Sequence, residues 1–171
     1  LEEMLDNVEK KMTDSAKDFS DTEDSKYMKF AEKLHGKRIL IYSQDGVSGV
    51  VSLRIRQQIQ ENAKQQISGN VLPEMNHNEI NSMQFPEGFN KNTVAVLLRS
   101  AVFEHPRVSL RFSALKTILK KNDIEYLEFD SPGDSLLESI IVSIFEWDLI
   151  SYCMAIKNNI DPTDIHDILF L

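Results

Sequence analysis

The stretch Val71–Ile80, VLPEMNHNEI, places one histidine among two carboxylates and two asparagine amides. Histidine titrates near neutral pH, so His77 is suited to moving protons. Three readings of the stretch stand side by side. Asn76 or Asn78 caps the start of a helix and Glu79 sits in its favourable first turn. His77 joins Glu74 or Glu79 as a metal ligand, although a second histidine is lacking. Or His77 does acid–base chemistry while the neighbouring amides and carboxylates orient its ring.

Upstream, RIRQQIQENAK spaces Arg54, Gln58 and Glu61 three or four residues apart, on one face of a helix. A solvated stripe has the same spacing. A carboxylate such as Glu61, near the helix end and facing a pocket, can serve as a base if burial raises its pKa. The loop SQDGVSG (43–49) joins an extended run to that helix. Its glycines either let backbone amides approach a ligand at the positive helix end or only shape a βα turn. The spacing is neither a Walker loop nor a GxGxxG fingerprint, so no nucleotide is implied. Gly46 and Gln58 are the candidate substrate-binding positions.

These residues need a scaffold. RILIYS (38–43), a run ending at NVLP, TVAVLLR (93–99) and EYLEF (125–129) read as strands, the apolar ones buried on both faces. Helical patterns fill 47–66, the span HPRVSLRFSALKTILKKN (105–122) with Leu110, Leu115, Ile118 and Leu119 on its apolar side, and 136–157. Asp161 and Pro162 predict the N-cap and first position of a short last helix. Before them all, Leu1, Met4, Leu5, Val8 and Met12 recur at helical spacing, Ser20 with Glu23 resembles a capping box, and Gly36 is a stop signal. The expectation is a helical segment over 1–36 and an α/β domain over 37–171, with a mostly parallel sheet flanked by helices. Ligands of such sheets bind beyond the carboxyl ends of the strands, where both the 43–49 loop and His77 fall.

Composition narrows the function classes. A net charge of −8 disfavours nucleic-acid binding, because an acidic surface repels phosphate backbones. Cys153 is the single cysteine, which excludes an internal disulfide or a multi-thiolate zinc site. With no signal peptide and no apolar run judged to approach the roughly 20 residues that span a bilayer, the expected compartment is the cytoplasm. A start at Leu1 and an apolar finish, DILFL, suggest a piece of something longer.

Together, RIRQQIQENAK, PEMNHNEI, VAVLLR, HPRVSLR and SYCMAIKNNIDPTDI, in that order, resemble the second sugar isomerase (SIS) domain of the bifunctional phosphoglucose/phosphomannose isomerase family. The similarity covers Arg38 to the end. It implies a three-layer, flavodoxin-like SIS fold and interconversion of an aldose phosphate and a ketose phosphate through a cis-enediol, with no cofactor or metal. It implies Glu61 as the proton-transferring base, His77 as the ring-opening group and Lys157 as a further ring-opening group. It also implies a homodimer sharing each site between subunits, and an earlier SIS domain, absent from this chain, that holds the phosphate. The sequence departs from the family in Gln44 and Asp45, where smaller residues are common, and in Gln60, where asparagine is usual. A non-catalytic sugar-phosphate-binding or dimerisation domain is the alternative.

Overall fold

The computed structural model describes residues 2–20 and 23–171. Four strands, β1 (Arg38–Gln44), β2 (Ile67–Leu72), β3 (Thr93–Arg99) and β4 (Glu125–Asp130), form one sheet in the order β2-β1-β3-β4. Every pairing is parallel, with Ile41 opposite Gly69 and Val96, and Val96 opposite Leu127. β1 and β3 are the central pair, and their unbroken apolar runs are buried on both faces. On the edge strand, Gly69 lets β2 close on Ile41, where a Cβ would collide.

One face of the sheet carries Ile39, Ile41, Val94, Val96, Leu98 and Phe129. Against it pack α2 (Lys26–Leu34), α3 (Val47–Ala63) and α6 (Leu136–Asn158), with α1 (Glu2–Phe19) laid over α6. The other face carries Leu40, Tyr42, Ala95 and Leu97. It is covered by α5 (Pro106–Lys121) and by the β2–β3 connection, which holds only 3-10 turns and the one-turn α4 (Glu79–Ser82). The result is the expected α/β sandwich of three layers.

The N-terminal helices are tied to this core by a buried carboxylate. Glu146 of α6 accepts from the Ser15 hydroxyl at 3.0 Å, the Lys26 ammonium at 2.8 Å and the Tyr27 hydroxyl at 3.1 Å. Tyr27, Met28, Ala31 and Leu34 of α2 lie in the same apolar cluster as the strands.

Several local expectations are corrected. The cap of α2 is Ser25, whose hydroxyl accepts from Met28 N, whereas Ser20 turns back to donate to the Lys17 carbonyl. Gly36 does follow the helix end with a positive φ of 71°. α5 buries Val108, Phe112, Leu115 and Leu119, while Leu110 points outward and is 71% exposed. Asp161 accepts from both the amide and the hydroxyl of Thr163 instead of capping, and the last helix, α7, runs His166–Phe170. In α1, Val8 is buried and Leu5 exposed; Leu1 lies outside the described residues.

α6 also corrects the reading of apolar length. Its 23 residues, with a mean hydropathy of 1.5 over the most apolar window, are long and apolar enough to cross a bilayer. Glu138, Glu146 and Asp148 break the run in the sequence, and 56% of that window is buried inside the fold, as in a core helix.

Candidate functional site

The loop carrying His77 is built by the residues around it. After the cis peptide Leu72–Pro73, Met75 drops its side chain into the core beside Tyr42 and Leu72. The His77 amide donates to the Glu74 carbonyl at 3.0 Å and closes a 3-10 turn. Asn78 accepts from the Glu79 amide at 2.6 Å and donates to the Glu74 carboxylate at 3.0 Å. Glu79 reaches under the loop: it accepts from the Tyr42 hydroxyl at 2.7 Å and from the Asn70 amide at 3.0 Å. Arg111 of α5 donates to Asn76 at 3.3 Å. Both asparagines and both carboxylates are therefore spent on the loop and its neighbours. No side chain among the described residues bonds the exposed imidazole of His77, contrary to the expectation that these groups orient the ring. Burial, then the adjacent Glu79 carboxylate, push the Tyr42 phenol far above its ordinary pKa, so it stays a donor.

Glu61 lies elsewhere. α3 starts at the carboxyl edge of the sheet and runs back 17 residues, roughly 25 Å at the rise of an α-helix, so its last turn stands at the amino edge. Glu61 is in that turn. Its carboxylate makes no hydrogen bond or ion pair among the described residues. It lines a cleft of about 380 Å³ with Gln60, Lys64 and the segment Asp164–Ile168, whose His166 had no place in the sequence reading. Glu61 and His77 of one copy thus stand at opposite ends of the sheet.

The other candidates divide similarly. Gln58 is 2% exposed, and its amide donates to Asp148 of α6 within the α3–α6 contact. Burial raises the Asp148 pKa, against the pull of Arg54. Arg54 is exposed, so the three-residue face of the sequence reading is split between core and solvent. Lys157, at the end of α6, pairs with Glu32 of α2 at 2.7 Å. Gly46 precedes α3 with φ 87° and ψ −130°, a backbone region that favours glycine.

The carboxyl edge is closed in a way the sequence did not announce. The Gln44 amide donates to the Phe103 carbonyl at 3.1 Å, and its carbonyl accepts from the His105 amide at 2.7 Å. This single side chain staples the β1–α3 loop to the β3–α5 loop, where α3 and α5 leave for opposite faces. Asp45 accepts from the Gly46 amide at 2.7 Å, so a carboxylate of the chain itself stands at the positive end of α3. Next door, Arg99 is held by Glu104 at 2.6 Å and Glu128 at 2.9 Å. Among the described residues, no three His, Cys, Asp or Glu side chains converge as a metal site requires.

The family model for the bacterial phospho-glucose isomerase C-terminal SIS domain matches residues 23–171. The chain belongs to this family. The SIS domain is 30% identical over 136 residues to the bifunctional phosphoglucose/phosphomannose isomerase of Caldicellulosiruptor bescii, covering 80% of this chain and 40% of that protein. It is 29% identical over 138 residues to the enzyme of the same description from Aquifex aeolicus, covering 81% and 42%. The chain spans about two-fifths of the length of these relatives. Among solved structures, a glucose-6-phosphate isomerase like protein from Thermus thermophilus superposes with a TM-score of 0.74 at 17% identity, over 99% of this chain and 55% of that one. The C-terminal domain of glucosamine-fructose-6-phosphate aminotransferase from Francisella tularensis gives 0.65 at 16%, over 93% and 45%. These distant likenesses speak for the fold. The family resemblance read from the motifs is borne out.

Proposed function

We propose that this SIS domain supplies the proton-transfer base and the ring-opening histidine of an aldose–ketose isomerase. Its substrates are glucose 6-phosphate and mannose 6-phosphate, each converted to fructose 6-phosphate in the cytoplasm. His77 moves a proton between the anomeric hydroxyl and the ring oxygen, which opens the sugar. Glu61 takes the C2 proton, and the freed electron pair becomes the C1–C2 double bond of a cis-enediol as the C1 oxygen is protonated. Return of a proton from Glu61 to C1, with loss of the C2 hydroxyl proton, leaves the ketose. The step is redox-neutral and uses no cofactor. Lys157 assists ring opening after leaving Glu32, its partner in a solvent-exposed ion pair that water screens.

The observation that carries this reading is the separation of Glu61 and His77 along the sheet. One copy cannot bring them to one sugar carbon, whereas a symmetric pair can match Glu61 of one with His77 of the other. The site is therefore shared in a homodimer, and an N-terminal SIS domain holds the phosphate. Mixing tests it. In the full-length protein Glu61→Gln and His77→Ala each lower turnover of the closed sugar by roughly 10²-fold or more. Unfolded together in equal amounts and refolded, they recover roughly a quarter of wild-type activity, because half the dimers are mixed and each has one intact site of two. No recovery, with dimers formed, rejects the shared site; activity retained by Glu61→Gln alone rejects the base.

A second reading, a non-catalytic sugar-phosphate-binding or dimerisation module, draws on Gln44 and Asp45, which fill the edge where parallel sheets take ligands.

A further inference from the structure

We propose that Glu79 is a positioning residue for His77, acting as a doubly accepting peg that pins the histidine loop to the sheet; this rests on the role of His77 given above. The loop crosses β1 on the α5 side, where Arg111 of α5 donates to Asn76 at 3.3 Å and two further contacts tie the loop to the sheet. Met75 anchors it by burial. Glu79 anchors it by charge, one carboxylate oxygen taking the Tyr42 hydroxyl of β1 at 2.7 Å and the other the Asn70 amide of β2 at 3.0 Å. Since no side chain among the described residues steers the imidazole itself, its direction is set by where the backbone at residue 77 lies. That backbone is one turn-closing bond from Glu74 and two residues from the peg.

Both partners of the peg donate, and both of its oxygens accept. A glutamine would not break it, because the Tyr42 hydroxyl can accept from the new amide while the remaining oxygen still takes Asn70. Asn70 itself is fixed as a donor, because its Oδ1 already accepts from the Val71 amide at 2.8 Å. Glu79→Met keeps the length of the side chain and removes both acceptors. Tyr42→Phe removes half of the peg by a single oxygen and leaves Glu79 in place.

The experiment is a double-mutant cycle in the full-length protein, read on a closed sugar phosphate and on an analogue that cannot cyclise. Glu79→Met lowers kcat/KM on the closed sugar by about 10-fold or more, with little change on the open one, since a displacement of about 1 Å is enough for such losses. In the His77→Ala background the same substitution costs less than about 2-fold, because a residue acting through His77 has nothing left to act on. An equal loss in both backgrounds, or none in either, overturns the proposal. Amide hydrogen exchange supplies a reading apart from activity. In Glu79→Met and in Tyr42→Phe, the His77 and Asn81 amides exchange about 10-fold faster while β1 and β3 keep their protection. If His77→Ala itself costs nothing, the isomerase reading fails. Exchange then judges the peg alone, and unchanged loop protection in both variants rejects it.

Discussion

Glu146→Ala is the sharpest test of how the helical layer holds together. The wild-type carboxylate takes three donors on one oxygen, from α1 and α2, and is almost wholly buried. The Lys26 bond is worth little, at most about 1 kcal/mol, because its side chain is 60% exposed. Ser15 and Tyr27 are buried, and each bond to a charged acceptor contributes about 1.5–3 kcal/mol in isolation. Sharing one oxygen makes these terms less than additive, and the two hydroxyls can turn to each other once the acceptor is gone. The expected loss is about 2–4 kcal/mol, or roughly 4–16 °C in Tm for a chain of this size. Glu146→Gln keeps an acceptor for the hydroxyls and loses the charge, so about 1 kcal/mol is expected. Urea unfolding followed by circular dichroism at pH 7 measures both. That pH lies on a plateau. Burial lowers the Lys26 pKa, but its bond to Glu146 and the charge there outweigh this, for a net rise from 10.5. The contribution is full below that value and is lost only as pH rises through the higher folded one. A Glu146→Ala loss under about 1 kcal/mol would refute the assignment of this carboxylate as the junction of α1, α2 and α6.

Two further tests use Asp148 and Cys153 of α6. The folded-state pKa of Asp148 is raised by burial, so its stability contribution falls as pH climbs from the unfolded value, 3.8, through the folded one. Asp148→Asn, which can still accept from Gln58, is thus more stable than wild type at pH 7, with the gap closing near pH 3; a less stable variant at pH 7 contradicts this. Burial pushes the Cys153 thiol up to about 11. Ellman's reagent should therefore label Cys153 in denaturant and not in the native protein, and rapid native labelling would show that α6 opens locally.

β1 and β3 were legible because an unbroken apolar run of that length, bounded by turn residues, has few other uses. α5 was legible as a helix but not in its facing: Leu110 and Val108 are both apolar, and only the packed sheet chooses between their stripes. Asp161 failed as a cap because one carboxylate oxygen serves an Asx turn as readily as a helix start. At the site, the motif identified the chemistry-bearing residues and misjudged what their neighbours do. The amides and carboxylates around His77 looked like ring-orienting groups, whereas they hold the loop. The long-range half of that network, Tyr42 and Asn70, gives no local signal; the spacing of Glu79 from His77 was the only hint. Gln44 was noticed as unusual, but its span to residues 103 and 105 depends on which loops the sheet order brings together.

Trp147 is the single tryptophan, fully buried, its ring edge-on to Phe30 at 5.6 Å and tilted against Phe129 at 5.3 Å. Those rings belong to α6, α2 and β4, all on one side of the sheet. Tryptophan emission, excited beyond the tyrosine band, is therefore a spectroscopic window on that side alone. The histidine loop on the opposite side is dark to it, and a titration with a sugar phosphate can leave the tryptophan emission flat while that loop changes. An indole introduced at Phe85, an exposed position of the β2–β3 connection, gives the second channel. Comparing the two signals would resolve whether the two sides of one sheet move together or apart.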